Sequence, residues 1–455
     1  MISTSIFDLF PTDLHFFLSV EGEDCLQRIV NNGTFPNYTN DTSFTHEQER
    51  KVLLDIYTYT NGKEWFNSSG WNSSIEHCSW YGITCHGNSY IKSIVLPFNN
   101  LNGSLPSNLW KIRNLFSLCV PGNPSLRGRL GDFLFGNMSL LLTLAICSSS
   151  VSGEIPQDIV NLTNLQYFIA SPMDGEGLTG QLPRDLGNMK ELRMLDIGGN
   201  NITGQIPRSI SKLTKLYDLT LRNTPGMMSG NLSDIFAIPS LADVCVSGVN
   251  LVGEIPRKFP PNIAILLLPG NNISGKLPEI FPNNSALRNL NLANNRLTGD
   301  IPGHLLLKPL DILDLSQNRF TSINEGKPWS KDDVGSISLH LSLAENRGLA
   351  IDFQSFMGLF NSTVTLSVIN VSYCDIESPV LPNLFNFLRL STFDLSGNNF
   401  YGELPDFFGD VSVLSYVDVS ANNLSGSLPL GTQNFMALQY LDISGNPFMR
   451  KGTSI

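Results

Sequence analysis

The stretch Leu287 to Pro302, LRNLNLANNRLTGDIP, returns in variant form about every 24 residues through most of this chain. The frame is L-x-x-L-x-L-x-x-N-x-L-x-G-x-I-P, and it also catches Leu192 to Pro207, Leu390 to Pro405 and Leu414 to Pro429. A unit of that size cannot bury its apolar side alone. Neighbours must stack, so the chain reads as an α/β solenoid and not as a set of globular domains.

Within one unit the alternation around Leu290 and Leu292 is that of a strand: both point inward, while Asn289, Asn291 and Ala293 face out. Stacked strands form a parallel sheet whose outer face offers about three side chains per repeat. Asn295 falls where the chain leaves the strand, and an inward amide there can pair backbone groups that the turn leaves open. Copies of it form a ladder. Gly299 permits a dihedral other residues resist, and Pro302 fixes the entry to the outer side. Ladder positions fall at Asn99, Asn123, Ser149, Met173, Asn200, Thr224, Val249, Asn271, Asn295, Asn318, Asn346, Cys374, Asn398, Asn422 and Asn446, giving about fifteen repeats. Met173 and Val249 cannot supply the amide's bonds, so the middle of the ladder is expected to be its weaker part.

The formal net charge of −11 leaves no basic stripe to neutralise phosphates, which argues against nucleic acid as a partner. Glycosylation sequons are frequent. The frame itself creates some, since NNITG and NNLSG contain one by construction. The expected acceptors are Asn32, Asn37, Asn40, Asn67, Asn72, Asn137, Asn161 and Asn361, and the five outside the repeats favour passage through the secretory pathway. Residues 1–43 read as a poorly ordered extension. They make a poor signal peptide, because Asp8, Pro11, Asp13 and His15 interrupt the apolar stretch. No run of about 18 or more apolar residues is present to span a membrane. Residues 449–455 form a short tail where a closing cap would be expected, and both ends read as those of a fragment.

Residues 44–90 read as an amino-terminal cap ahead of the repeats at 91–448. Thr45 and Gln48 make a capping box, and Val52, Leu53, Ile56 and Tyr57 share one helical face. Then follows WFNSSGWNSSIEHCSWYGITC, in which Cys78 and Cys85 flank a compact loop suited to a disulfide. A zinc pair using His77 or His86 is the alternative, although no second ligand pair has suitable spacing.

A helix, then W…C-x-W-x-G-I-x-C, then repeats ending in L-x-G-x-[IL]-P resembles the plant-type leucine-rich-repeat ectodomain. That family includes receptor-like kinases, receptor-like proteins and polygalacturonase-inhibitor-type proteins. The resemblance covers about Thr45 to Phe448. It implies a right-handed leucine-rich-repeat superhelix with a concave parallel sheet, a helical disulfide-closed cap and a second short strand near G-x-I-P. It also implies an extracellular protein that binds a peptide or protein on its inner surface, with a possible co-receptor.

Chemistry has little support. His46-Glu47 begins like a zinc-protease motif, but Arg50 stands where the second histidine is required. There is no G-x-S-x-G, phosphate loop or kinase signature, and no catalytic residue, cofactor or metal is assigned. Cys119 and Cys147 should lie about 8 Å apart, beyond disulfide reach, and read as buried fillers.

Recognition is therefore expected on outward strand positions: Tyr167 and Ile169, Met194 and Asp196, Asp218 and Thr220, Asp243, and Ile265 and Leu267. Their apolar members are taken to stand open as anchors. A second acidic column, Asp394, Asp418 and Asp442, follows the family's consensus and reads as structural. The expected function is extracellular ligand recognition. A secreted inhibitor of an extracellular hydrolase, or the ectodomain of a receptor kinase, is the alternative.

Overall fold

The computed structural model describes residues 45–87, 90–132, 135–172, 177–222, 228–279, 286–324, 337–360, 364–379, 389–404, 413–427 and 437–449. Met173 and Thr224 of the ladder, and the extension expected at 1–43, lie outside the described residues. The chain forms two compact units, Met1–Gly230 with Ala237–Leu241, and Asn231–Phe236 with Ala242–Ile455.

The first unit opens on helix α1, His46–Tyr59. Its start is set by the expected box: Thr45 Oγ1 accepts from Gln48 N at 3.4 Å, and Gln48 Oε1 accepts from Thr45 N at 2.8 Å. Val52, Leu53 and Ile56 are buried, while Tyr57 is half-buried against the rings of Trp65 and Trp71. The cap's three buried indoles each find an acceptor: Trp65 Nε1 donates to Thr60 O, Trp71 Nε1 to Tyr81 O and Trp80 Nε1 to Ile75 O, at 2.9 to 3.0 Å. A buried ring of that size contributes apolar area only if its N–H is also paired. Cys78 and Cys85 form the disulfide, with Cα atoms 5.5 Å apart.

Strands β1 (Ile83–His86) and β2 (Tyr90–Val95) pair antiparallel. From β2 onward the pairing is parallel, through β3 (Ser117–Cys119), β4 (Thr143–Ala145), β5 (Tyr167–Ile169), β6 (Met194–Asp196) and β7 (Asp218–Arg222). The second unit repeats this with β8 (Asp243–Ser247), β9 (Ile265–Leu267), β10 (Asn289–Asn291), β11 (Ile312–Asp314), β12 (Ile337–Ser342), β13 (Val364–Asn370), β14 (Thr392–Asp394), β15 (Tyr416–Asp418) and β16 (Tyr440–Asp442). Short second strands occur where the G-x-I-P half falls, for example Asn272–Lys276 beside Arg296–Pro302.

Packing follows the frame. Leu287, Leu290, Leu292, Leu297 and Ile301 are all buried. Each such side chain contributes about 1.5–3 kcal/mol relative to exposure. The glycine of the first repeat, Gly103, has φ +135°, and a Cβ there would sit 1.9 Å from Tyr59 O. Only glycine lets the first repeat close on the end of the cap helix.

The asparagine ladder ties one repeat to the next. Asn271 Nδ2 donates to Leu268 O in its own turn at 3.0 Å and to Val246 O in the preceding repeat at 2.8 Å. Its Oδ1 accepts from Val249 N at 3.3 Å and Leu251 N at 3.0 Å. Asn295, Asn318, Asn398, Asn422 and Asn446 repeat the pattern. At Ser149 the hydroxyl bonds only within its own turn, to Ile146 O at 2.6 Å and from Val151 N at 3.4 Å. Cys374 donates from Sγ to Leu343 O at 3.1 Å, a partial replacement for the amide.

Candidate functional site

Parallel strands in register place equivalent side chains about 4.8 Å apart, so the outward positions form columns. In the first unit one column runs Ser117, Thr143, Tyr167, Met194, Asp218; the other runs Cys119, Ala145, Ile169, Asp196, Thr220. Tyr167 (5% exposed), Ile169 (4%) and Met194 (8%) pack with Cys119, Ala145 and Cys147 into one buried apolar cluster. The expectation that these three stand open to solvent is corrected. On the amino-terminal side their ladder neighbours are the small Thr143 and Ala145, and Tyr167 lies beside Met194, so these side chains close over one another. Asp218 and Thr220 are buried as well, whereas Asp196 is half-buried, its Oδ1 accepting from Gly198 N at 3.1 Å.

In the second unit Asp243, Ile265 and Leu267 are each half-buried and retain open surface. They head two further columns. One continues from Ile265 through Asn289, Ile312, His340, Val368 and Thr392 to Tyr416 and Tyr440. The other continues from Leu267 through Asn291, Asp314, Ser342, Asn370 and Asp394 to Asp418 and Asp442.

The carboxylates of that second column serve the turns that leave each strand. Asp394 Oδ1 accepts from Ser396 N at 3.0 Å and Ser396 Oγ at 2.7 Å. Asp314 does the same with Ser316, Asp418 accepts from Ser420 N, and Asp442 from Ser444 N. Burial pushes the Asp394 carboxyl up to about 6, opposed by the Ser396 bonds and reinforced by the Asp418 charge. Burial likewise raises Asp314.

Beside them the rings of Tyr416 and Tyr440 stack at 4.4 Å with planes 6° apart, and Tyr440 is 41% exposed. Burial, and then Asp394 and Asp418, raise the Tyr416 phenol, so it stays a neutral donor. Sequence reasoning passed over this pair. The signal was available, since LSYVD and LQYLD put tyrosine at the same frame position in successive repeats.

Of the expected acceptor asparagines, Asn72, Asn137 and Asn161 are exposed and Asn67 is half-buried, its Oδ1 accepting from Ser69 N and Oγ. Asn32, Asn37, Asn40 and Asn361 lie outside the described residues. The sequon at Asn370 is shut: that side chain is buried, with Oδ1 bonded to Ser372 N and Oγ. With Cys78 and Cys85 joined, the zinc-pair alternative for these thiols is removed. Cys119, Cys147, Cys245 and Cys374 are thiols.

This fold places the chain among leucine-rich-repeat proteins. Residues 46–86 match the family described as Leucine rich repeat N-terminal domain, and residues 191–213, 286–306 and 389–411 match Leucine Rich Repeat. Among curated relatives, phytosulfokine receptor 1 of Arabidopsis thaliana is 31% identical over 28% of this chain and 12% of its own length. Receptor-like protein 3 of the same plant is 36% identical over 17% of this chain and 10% of its own. Among solved structures, the plant peptide hormone receptor RGFR1 in complex with RGF2 superposes with a TM-score of 0.59 at 24% identity, over 77% of this chain and 62% of that one. A leucine-rich-repeat protein of Leptospira interrogans gives 0.54 at 22%, over 78% and 91%. The chain has the leucine-rich-repeat fold, and the relatives it matches include plant receptor-like proteins and receptor kinases. It spans less than two thirds of the length of the plant relatives named.

Proposed function

We propose that this chain is the extracellular recognition domain of a leucine-rich-repeat receptor-like protein, binding an extended peptide or protein segment along its strand columns. The observation that carries this reading is the half-open apolar pair Ile265 and Leu267. They sit on adjacent outward positions of one strand and, following Asp243 and Cys245, lead into two long, in-register columns of polar and aromatic groups. Preformed strands lose little conformational freedom on binding, so affinity is not consumed in ordering the receptor. The structurally similar plant peptide hormone receptor RGFR1, in complex with RGF2, supports the class of ligand. Asp243, beside Ile265 in the second unit, is the charged group that would orient it, and Asp196 offers an equivalent group on the first unit's own columns. Tyr167, Ile169, Met194, Asp218 and Thr220 serve as the packed floor of the first unit's columns. A co-receptor, an extracellular location and glycans on the exposed sequons belong to the same proposal, as does the absence of catalysis by this chain.

The test uses glycosylated protein from a eukaryotic secretory host and a panel of synthetic extended peptides of varied charge, read by biolayer interferometry. The expected result is a binder whose affinity falls at least about tenfold when Ile265 and Leu267 are replaced together by Glu. Unchanged affinity in that folded double variant would move recognition off this surface.

A further inference from the structure

The cap holds a cluster that recognition leaves unused. His46 is the first residue of α1, and Glu76 and His77 lie at the entry to the short helical turn His77–Ser79. His46 Nδ1 lies 4.0 Å from Glu76 Oε2, and His77 Nδ1 lies 3.9 Å from that same oxygen. The two imidazoles face each other at 4.8 Å between centroids. One potential ligand atom from each residue falls within 4.8 Å of the other two. His77 is 1% exposed, yet its buried Nε2 has no hydrogen-bond partner. The nitrogen turned to Glu76 Oε2 is Nδ1, so Nδ1 is the atom that would take a cation held between the three residues.

We propose that His46, Glu76 and His77 bind one divalent transition cation of the zinc class, which pins the start of α1 to the disulfide loop. Two imidazoles and one carboxylate are a donor set suited to zinc, with water filling the fourth place. Bonds of about 2.0–2.2 Å put tetrahedral ligand atoms about 3.3 Å apart, so the side chains must close by under about 1.5 Å. The two mobile members can do so, because His46 and Glu76 side chains are 41% and 77% exposed while His77 is fixed. The closing loop is already clamped: Cys78 is disulfide-bonded, and Arg50 holds Ser73 O and Ile75 O. Arg50 lies over the Trp80 ring at 4.8 Å, and its positive charge limits affinity without occupying the ligand position.

The experiment is calorimetric titration of zinc chloride into tag-free, full-length glycosylated protein at pH 7.5, with magnesium chloride as control. One equivalent of zinc should bind and magnesium should not. H46A and E76Q, both at exposed positions, should each weaken zinc at least about tenfold while leaving the zinc-free melting temperature unchanged. Cobalt(II) should give the intense visible bands of a four-coordinate site in the wild type and lose them in H46A. No stoichiometric zinc binding would overturn the proposal, and so would binding that survives the H46A/E76Q double variant.

Discussion

Glu49 Oε2 accepts the backbone N–H of Ile91 at 3.0 Å, joining the first turn of the cap helix to the first repeat strand across 42 positions. The carboxyl is 1% exposed. Burial raises its pKa from 4.5 to about 7, against the opposing pull of the Ile91 bond. The cap is thus built around a carboxyl that is protonated in mildly acidic surroundings.

That raised value fixes the sign of a pH effect. The folded state holds the proton more tightly than the unfolded chain, so Glu49's contribution is complete below pH about 4.5 and is lost as pH rises through about 7. The loss amounts to up to about 3 kcal/mol. Thermal melting should therefore fall between pH 5 and 8. Glu49→Gln should flatten much of that slope, leaving the parts due to Asp394 and Asp314, whose pKa values are also raised. An identical slope in wild type and variant would show that Glu49 titrates normally.

The ladder predicts a graded response. Asn271→Leu strips partners from the N–H groups of Val249 and Leu251 and from the carbonyl of Val246, while Leu268 O keeps its bond from Asn295 Nδ2. Each orphaned buried group costs about 1–3 kcal/mol, so urea unfolding should register a loss of about 3–5 kcal/mol. Ser149→Ala breaks bonds within one turn only and should cost about 1 kcal/mol. Equal losses at the two positions would contradict the bridging role of the amide.

Closing the loop between Cys78 and Cys85, seven positions apart, removes chain entropy from the unfolded cap. Replacing both by Ser should cost about 2–3 kcal/mol, seen as early loss of cap fluorescence from Trp71 and Trp80. Their rings pack at 5.0 Å beside the loop. A simultaneous, unshifted melt of cap and repeats would argue that the bridge contributes little.

Much of this was legible because the frame is periodic. Leu290, Asn295 and Gly299 each have a fixed duty in every unit, and Thr45 with Gln48 announces the helix start locally. Degree of exposure was not legible. A period of two says which face Tyr167 and Met194 take, but their burial depends on neighbours one repeat away filling the adjoining columns. The approach of His46 to His77 depends on the three-dimensional path of the cap, and no local pattern encodes it.

The corrected placement of those columns separates stability from binding in a way one pair of variants can read. Met194 and Asp196 sit on the same strand and the same face, two residues apart. Met194 is 8% exposed inside the apolar cluster, whereas Asp196 is half-buried and keeps open surface. Met194→Lys forces an ammonium among Tyr167, Ile169 and Cys147, and should lower stability by at least about 2 kcal/mol. Asp196→Lys swaps one charge at a partly open position and should move stability by about 1 kcal/mol or less. Its effect should fall instead on the salt-dependent association rate of any charged peptide. Chemical denaturation checks the first pair of values and stopped-flow binding the second. If Met194→Lys unfolds no more readily than Asp196→Lys, the cluster is not the packed floor described here, and the first unit's columns are open to ligand.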